Sequence, residues 1–248
     1  MLKRVSVLFA LAFVPALSTA GPLEGDYLYK VSTVRAAPGQ FAELLEWLDT
    51  LHKSTYYSDS GTSRPLVIRH SQGDQWDLMI ITPMHSFAAF YSGSATEQRS
   101  KAAEKHARLL NRAEAMIAFE EDIFAYGPPL QVVASAYSDN AFYHIEMFNA
   151  APGLAGKLVE QRRMENEYLN ATGQIANMIF RRAAGSDVDV FTIGFHRSLE
   201  SFAAPASASD DDKEAAAKAV GFKDRADISF YLRALISGHH DTLAGKVD

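Results

Sequence analysis

After its first twenty residues the chain is one unit written twice, and this duplication constrains the fold more than any other feature of the sequence. Tyr29, Ala36, Ala37, Pro38, Gly39, Leu44 and Glu46 recur as Tyr143, Ala150, Ala151, Pro152, Gly153, Leu158 and Glu160, all at a shift of 114. Arg69, Gly73, Asp77, Ile81, Ser86 and Phe90 recur as Arg181, Gly185, Asp189, Ile193, Ser198 and Phe202 at a shift of 112. Arg112, Ala113 and Leu130 return as Arg225, Ala226 and Leu243 at 113. Scattered identities arise by chance, whereas a nearly constant shift kept in order along the chain does not. The expected division is a leader over 1–20, a first unit over 21–136 and a second over 137–248.

The leader reads as a secretory signal. Lys3 and Arg4 supply the positive start, Val5 to Leu17 the apolar stretch, and Ser18-Thr19-Ala20 the small residues for cleavage. That stretch is shorter than the roughly 20 residues a membrane-spanning helix needs, and Pro15 interrupts it. The product is therefore expected to be exported, periplasmic or extracellular, without a stable membrane anchor. The chain contains no cysteine, which excludes disulfides, thiolate metal sites and a cysteine nucleophile. Its formal charge is −6 with acidic and basic residues interspersed, so it carries no nucleic-acid footprint.

Each unit opens with an alternating strand, Tyr27 to Val34 in the first copy and Phe142 to Phe148 in the second. Ala-Pro-Gly breaks the strand. In the first copy Phe41, Leu44, Leu45, Leu48 and Leu51 then recur at helical spacing; the second helix, from Leu154 to about Leu169, is more polar. Two strands joined by a glycine turn follow, Leu66 to His70 with Trp76 to Thr82, and Met178 to Arg182 with Val188 to Phe195. Ser86 and Ser198 each cap a short helix. A longer helix is expected over Glu97 to Phe124 and again over Lys213 to Ile236, with a brief last strand near Leu130 to Ala134 and Leu243 to Val247.

Strand, helix, strand, strand, helices, strand is the split βαβ order of a ferredoxin-like unit. Such a sheet covers one face with its own helices and leaves the other bare, and a second copy in the same chain can cover it. In element order and duplication the chain resembles the dimeric α+β barrel superfamily in its fused tandem form. The expected fold class is thus α+β: two tandem ferredoxin-like repeats forming an intrachain barrel. The resemblance implies a group that includes cofactor-free monooxygenases of the antibiotic-biosynthesis type, degradative enzymes and haem proteins, so it does not select a chemistry. Because the duplication already covers the bare face, a homo-oligomer is not required.

In such a fold the bare faces are expected to meet around a cavity. On the first strands Tyr29, Val31 and Thr33, with Tyr143, Ile145 and Met147, form the apolar set expected beneath the helices. The opposite face then brings Lys30, Ser32 and Thr82 together with His144, Glu146, Thr192 and His196 in the cavity. His144 is the candidate base, Glu146 its orienting partner and Lys30 or His196 the group that stabilises an anion. Ser32, Thr82, Thr192 and His196 are candidate ligand contacts. A solvated or hydrogen-bonded His–Glu pair is the competing reading, and a register slip of one residue would exchange the two faces.

His239-His240-Asp241 is a second cluster that could offer ligands to a divalent metal, although adjacent residues diverge on a regular element. The duplicated Arg69/Asp77 and Arg181/Asp189 are expected to form structural ion pairs across each hairpin; the alternative is that the arginines bind an anion such as a carboxylate. Phosphate-loop, dinucleotide, nucleophile-elbow and zincin motifs are all absent. Three functions stay open: a binding module holding a small molecule between the repeats, a cofactor-independent oxygenase or isomerase, and a haem or metal protein with His144, His196 or His240 as ligand. The cofactor, if any, is unspecified. Expression with the leader in a secretion-competent host should yield a mature chain starting at Gly21, checked by the intact mass of the exported fraction; a retained leader would contradict cleavage.

Overall fold

The computed structural model describes residues 22–247. The expected leader and its cleavage site lie outside the described residues. The first unit comprises β1 (Tyr27–Ala36), α1 (Phe41–Lys53), α2 (Tyr56–Ser60), β2 (Leu66–Gln72), β3 (Leu78–His85), α3 (Phe87–Phe90), α4 (Gly93–Lys105), α5 (Ala107–Leu110) and β4 (Ile117–Gly127). A helix, α6 (Leu130–Asp139), leads into the second unit: β5 (Phe142–Ala150), α7 (Ala155–Ala171), β6 (Met178–Gly185), β7 (Val190–His196), α8 (Leu199–Ala203), α9 (Asp210–Ala219), α10 (Asp227–Leu235) and β8 (Ile236–Lys246). The expected junction at 136/137 falls within α6. Among the described residues no helix is long and apolar enough to cross a membrane.

The eight strands close into one antiparallel barrel in the order β1-β3-β2-β8-β5-β7-β6-β4. Each unit contributes four strands, with β1 between β3 and β4 and, correspondingly, β5 between β7 and β8. Two seams join the units, β2 against β8 and β4 against β6. Both seams depend on a hairpin glycine in the left-handed region, Gly73 at φ +110° and Gly185 at φ +94°. A side chain on Gly73 would overlap the Asp241 carbonyl, and one on Gly185 the Asp122 carbonyl. The duplicated glycines thus let each hairpin lie against the last strand of the other unit.

The barrel interior is filled. Tyr29, Val31, Met79, Ile81, Ile123, Tyr143, Ile145, Phe180, Phe191 and Ile193 belong to one buried cluster drawn from both units. Phe180 and Phe191 stack with centroids 4.6 Å apart. The expected face assignment is therefore reversed: Tyr29, Val31, Tyr143, Ile145 and Met147 point into the barrel, and their strand neighbours face outward beneath the helices. The reason is closure. Both apolar faces are spent on each other, and the outer face receives the amphipathic helices as well as the polar residues. On that side Leu44, Trp47, Leu48 and Leu51 of α1 pack on Val34, Val67 and Leu78, and Leu158 and Val159 of α7 pack on Phe148, Ile179 and Val190.

Two helical expectations are corrected as well. The stretch expected as one helix from Glu97 to Phe124 divides into α4, α5, a short 3-10 turn at Glu114–Met116 and the strand β4. The stretch from Lys213 to Ile236 breaks between α9 and α10 around Gly221, whose φ is +105°. Leu130 to Ala134 is not a strand but the start of α6. There Leu130, Val133, Ala136 and Tyr137 share a face that packs on the barrel core, and Tyr137 stacks on Tyr143 at 5.8 Å. The expected short helices after Ser86 and Ser198 are present, each serine accepting a backbone N–H.

The expected Arg69–Asp77 pair is not formed. Asp77 Oδ2 instead accepts the Ala36 N–H at 2.8 Å, and Asp189 Oδ2 accepts the Ala150 N–H at 2.8 Å. The arginine paired with Asp189 is Arg182 rather than Arg181. The duplicated aspartates thus fix the ends of β1 and β5 where each chain leaves the sheet. Asp77→Ala and Asp189→Ala, each leaving one such N–H without an acceptor, should lower stability by about 1–3 kcal/mol, measured as a reduced urea midpoint with unchanged slope.

Candidate functional site

Outside the barrel, on the second unit, the polar residues of β5 and β7 meet α7 and α8 around a cavity of about 390 Å³. Strand periodicity puts His144 and Glu146 on one face of β5, and in β7 it puts Thr192, Gly194 and His196 on the matching face. The register sets His144 opposite Gly194 and Glu146 opposite Thr192. Glu165 of α7, Asn177 of the loop before β6 and Phe202 of α8 complete the working wall.

The floor is anchored by Arg162, which is 2% exposed in its side chain. Its guanidinium approaches Glu146 Oε2 at 3.3 Å, pairs with Glu165, donates to Gln161 Oε1 at 2.7 Å and lies over the Phe148 ring at 4.9 Å. Thr192 Oγ1 donates a further hydrogen bond to Glu146 Oε2 at 3.1 Å. Two carboxylates therefore share one guanidinium, an arrangement that suits one negative charge better than two. Burial pushes the Glu165 carboxyl above its ordinary range and Glu146 adds to the rise, against the opposing pull of Arg162.

The imidazoles are held differently. His196 is 9% exposed, and its Nδ1 is buried with no hydrogen-bond partner. Burial, reinforced by the neighbouring His144, holds its pKa below the usual histidine value. The ring has room because position 194 is glycine: a Cβ there would come within 2.9 Å of His196 Nε2 and 2.7 Å of Asn177 Oδ1. Asn177 is itself fixed to α7, its N–H donating to Asn166 Oδ1 at 2.8 Å and its carbonyl accepting from Asn166 Nδ2 at 2.7 Å. Phe202 covers both imidazoles, with centroids 5.1 Å from each.

The seven residues expected to share one cavity fall into two groups. His144, Glu146, Thr192 and His196 come together here. Lys30, Ser32 and Thr82 lie on the outer face of the first unit, on the opposite side of the barrel. There Lys30 pairs with Asp122 at 3.0 Å and Glu120 at 3.6 Å, while Ser32 Oγ donates to Asp122 Oδ1 at 2.6 Å. Lys30 therefore cannot serve chemistry at His144. Glu146 does not orient His144 either, since Arg162 and Thr192 hold it; the carboxylate nearest His144 is Asp241, at 3.9 Å.

His239, His240 and Asp241 lie just past α10, on the strand β8. Alternation turns His239 towards Asp241 at 3.3 Å and sends His240 to the barrel end beside Asp74, at 3.8 Å. The three side chains do not converge, and among the described residues no group of three or more His, Cys, Asp or Glu is placed to hold a metal. Arg162, Glu165 and Asn177 were missed at the level of sequence. The signal was the weak apolar face of α7, where Gln161, Arg162 and Asn166 are buried among the polar residues.

No protein-family model and no curated protein matches the chain. Among solved structures, an anthrone oxidase-like protein is 11% identical, over 91% of this chain and 93% of that one, with a TM-score of 0.51. A mutant chlorite dismutase from Candidatus Nitrospira defluvii in complex with cyanide is 12% identical over 90% and 91%, with a TM-score of 0.49. A heme-binding protein from Thermus thermophilus is 10% identical over 90% and 91%, with a TM-score of 0.43. At these identities the likeness is one of fold, and the fold is the dimeric α+β barrel with both halves in one chain.

Because the folded chain binds fewer protons at His196 than the unfolded chain, stability should rise with pH from His196's lowered value up to about 6.5, the ordinary histidine pKa. Gly194→Thr, which installs the residue that Thr82 supplies in the first unit, should push the imidazole outward and return its titration towards the ordinary range. Proton NMR titration of the imidazole in the two proteins checks both statements.

Proposed function

We propose that the chain is an exported protein that binds a small, largely apolar molecule in the pocket of its second unit, beneath α7 and α8. The observation that carries this is His196: its ring fills the room that Gly194 leaves without a side chain, it lines the pocket, and its buried Nδ1 has no hydrogen-bond partner among the described residues. A buried polar group without a partner is costly, and a ligand hydroxyl or carbonyl would relieve that cost. Leu169, Ile175, Phe202 and Pro205 supply the apolar surround for the rest of the molecule. Volume and lining suit a one- or two-ring aromatic compound carrying one weakly acidic hydroxyl. The leader sequence supports export of this binding protein.

A second reading is favoured by one specific feature: the pocket holds His196 below, and Glu165 above, their ordinary ranges. Opposite displacements bring a base and an acid towards a common working pH. His196 would take the proton from an activated C–H or O–H of the bound molecule, and Glu165 would return a proton at a second atom, which is an isomerisation without a cofactor. In this scheme His196 replaces His144 as base. His144 tunes it by proximity, and burial, with the neighbouring Glu146 carboxylate adding to the effect, favours the protonated form of Glu165.

The haem reading does not fit this pocket. A haem brings two propionates that require cations, whereas the lining offers Glu146 and Glu165, and the guanidinium beneath is engaged by both.

Titration calorimetry with 2-naphthol and its methyl ether tests the proposal. The naphthol should bind one per chain and the ether at least tenfold more weakly. His196→Gln and Gly194→Thr should each weaken the naphthol at least tenfold. Binding that is indifferent to both substitutions would overturn the site. The enzymatic reading adds deuterium exchange into a bound ketone with an acidic C–H: exchange should persist below pH about 6.5 and vanish in His196→Gln.

A further inference from the structure

A second cavity, of about 620 Å³, lies at the β2–β8 seam, where α1 and β2 of the first unit meet the end of β8. It shares no residue with the histidine pocket. Its floor is apolar, formed by Leu45, Leu48, Leu66 and Val67, while its wall carries Arg64, Arg69 and Lys246. Among the described residues the one carboxylate in the lining, Asp49, is taken by Lys53 at 2.7 Å. Neither Arg64 nor Arg69 forms an ion pair with a carboxylate among the described residues. Arg64 donates to the His52 carbonyl, and Arg69 lies 5.2 Å from the Phe41 ring. His52 beside them has a buried Nε2 with no partner, and burial together with Arg64 lowers its pKa. In a chain with net charge −6, this is a concentration of positive charge over an apolar floor, and no carboxylate among the described residues pairs with either arginine.

The duplication supplies the chemical template. Arg181, the counterpart of Arg69, sits at the other seam of the barrel. There Asp26, just ahead of β1, places its carboxylate 2.8 Å from Arg181 Nη2. At the Arg69 seam the segment just ahead of β5 is Asn140-Ala141 and provides no carboxylate. One copy of the unit thus carries its own acid and the other does not. Guanidinium forks match carboxylates in shape as well as charge, and apolar surface beside them selects an anion with a hydrocarbon body.

We infer that the cavity between α1, β2 and the end of β8 is a binding site for an organic carboxylate with an apolar stem, its acid group held by Arg64 and Arg69. Lys246 contributes long-range attraction, because its Nζ already donates to the Tyr137 carbonyl at 2.9 Å. The stem lies along Leu45, Leu48 and Val67. This inference is independent of the reading of the histidine pocket.

Calorimetric titration of the full mature chain with decanoate, decanol and inorganic phosphate tests it. Decanoate should bind at one per chain, with decanol at least tenfold weaker and phosphate failing to compete at equal concentration. Arg69→Gln and Arg64→Gln should each weaken decanoate at least tenfold, while His196→Gln leaves it unchanged and so separates the two pockets. Arg69 is exposed, so its substitution should leave the fold intact, checked by an unchanged circular dichroism spectrum. No saturable decanoate binding, equal binding of decanol, full competition by phosphate or indifference to both arginine substitutions would each overturn the inference.

Discussion

Everything in this molecule depends on two seams. A four-stranded sheet with an apolar bare face is not stable alone in water, and the chain resolves this by bending two such sheets into one closed wall. Closure occurs only where a hairpin of one unit can lie against the backbone of the other unit's last strand. That contact is made at Gly73 and Gly185, where any side chain would strike a carbonyl oxygen. With the seams closed, Tyr29, Phe180, Phe191 and their neighbours fill the interior, and the Tyr29 hydroxyl donates to the Pro128 carbonyl. The histidine pocket accordingly lies on the outside of the sheet, between strands and helices.

The architecture was largely legible in the sequence because duplication is a long-range signal. The paired Ala-Ala-Pro-Gly segments, the hairpin glycines and the capping serines each marked a boundary that the structure places where the pattern put it. The facing of the strands was not legible. On β1, Tyr29, Val31 and Thr33 alternate with Leu28, Lys30, Ser32 and Val34, and both rows contain enough apolar residues to belong in a core. Only the global arrangement decides which row meets the helices. The β4 and β8 strands were obscured for a similar reason: their first halves project beyond the neighbouring core, and Phe119 and His239 are left partly in solvent. Val132 and Val133 look like strand residues locally, yet Pro129 and the packing of Val133 on the barrel end make them helical.

At the site, i and i+2 spacing was enough to group His144 with Glu146 and Thr192 with His196. It was not enough to join Lys30 to them, because equivalent positions of two repeats lie on opposite sides of a closed barrel. The helix contribution escaped notice for a different reason. Arg162 and Glu165 are ordinary charges until the sheet beneath them is known to carry Glu146. Burial of Gln161, Arg162 and Asn166 on one helix is a feature that a sequence can hint at only through a weak apolar face.

The contrast between Gly194 and Thr82 bears on how such a chain can change over generations. When a barrel is assembled from two identical polypeptides, any substitution on the sheet is made twice, so a pocket is either present in duplicate or missing altogether. Here the two halves are spelled by separate codons. A glycine can admit an imidazole above one sheet while the other keeps its threonine and a lysine–aspartate contact in the matching place. Carrying both halves in one chain removes the symmetry constraint: one half can change its outer face while the other holds the shared wall in shape.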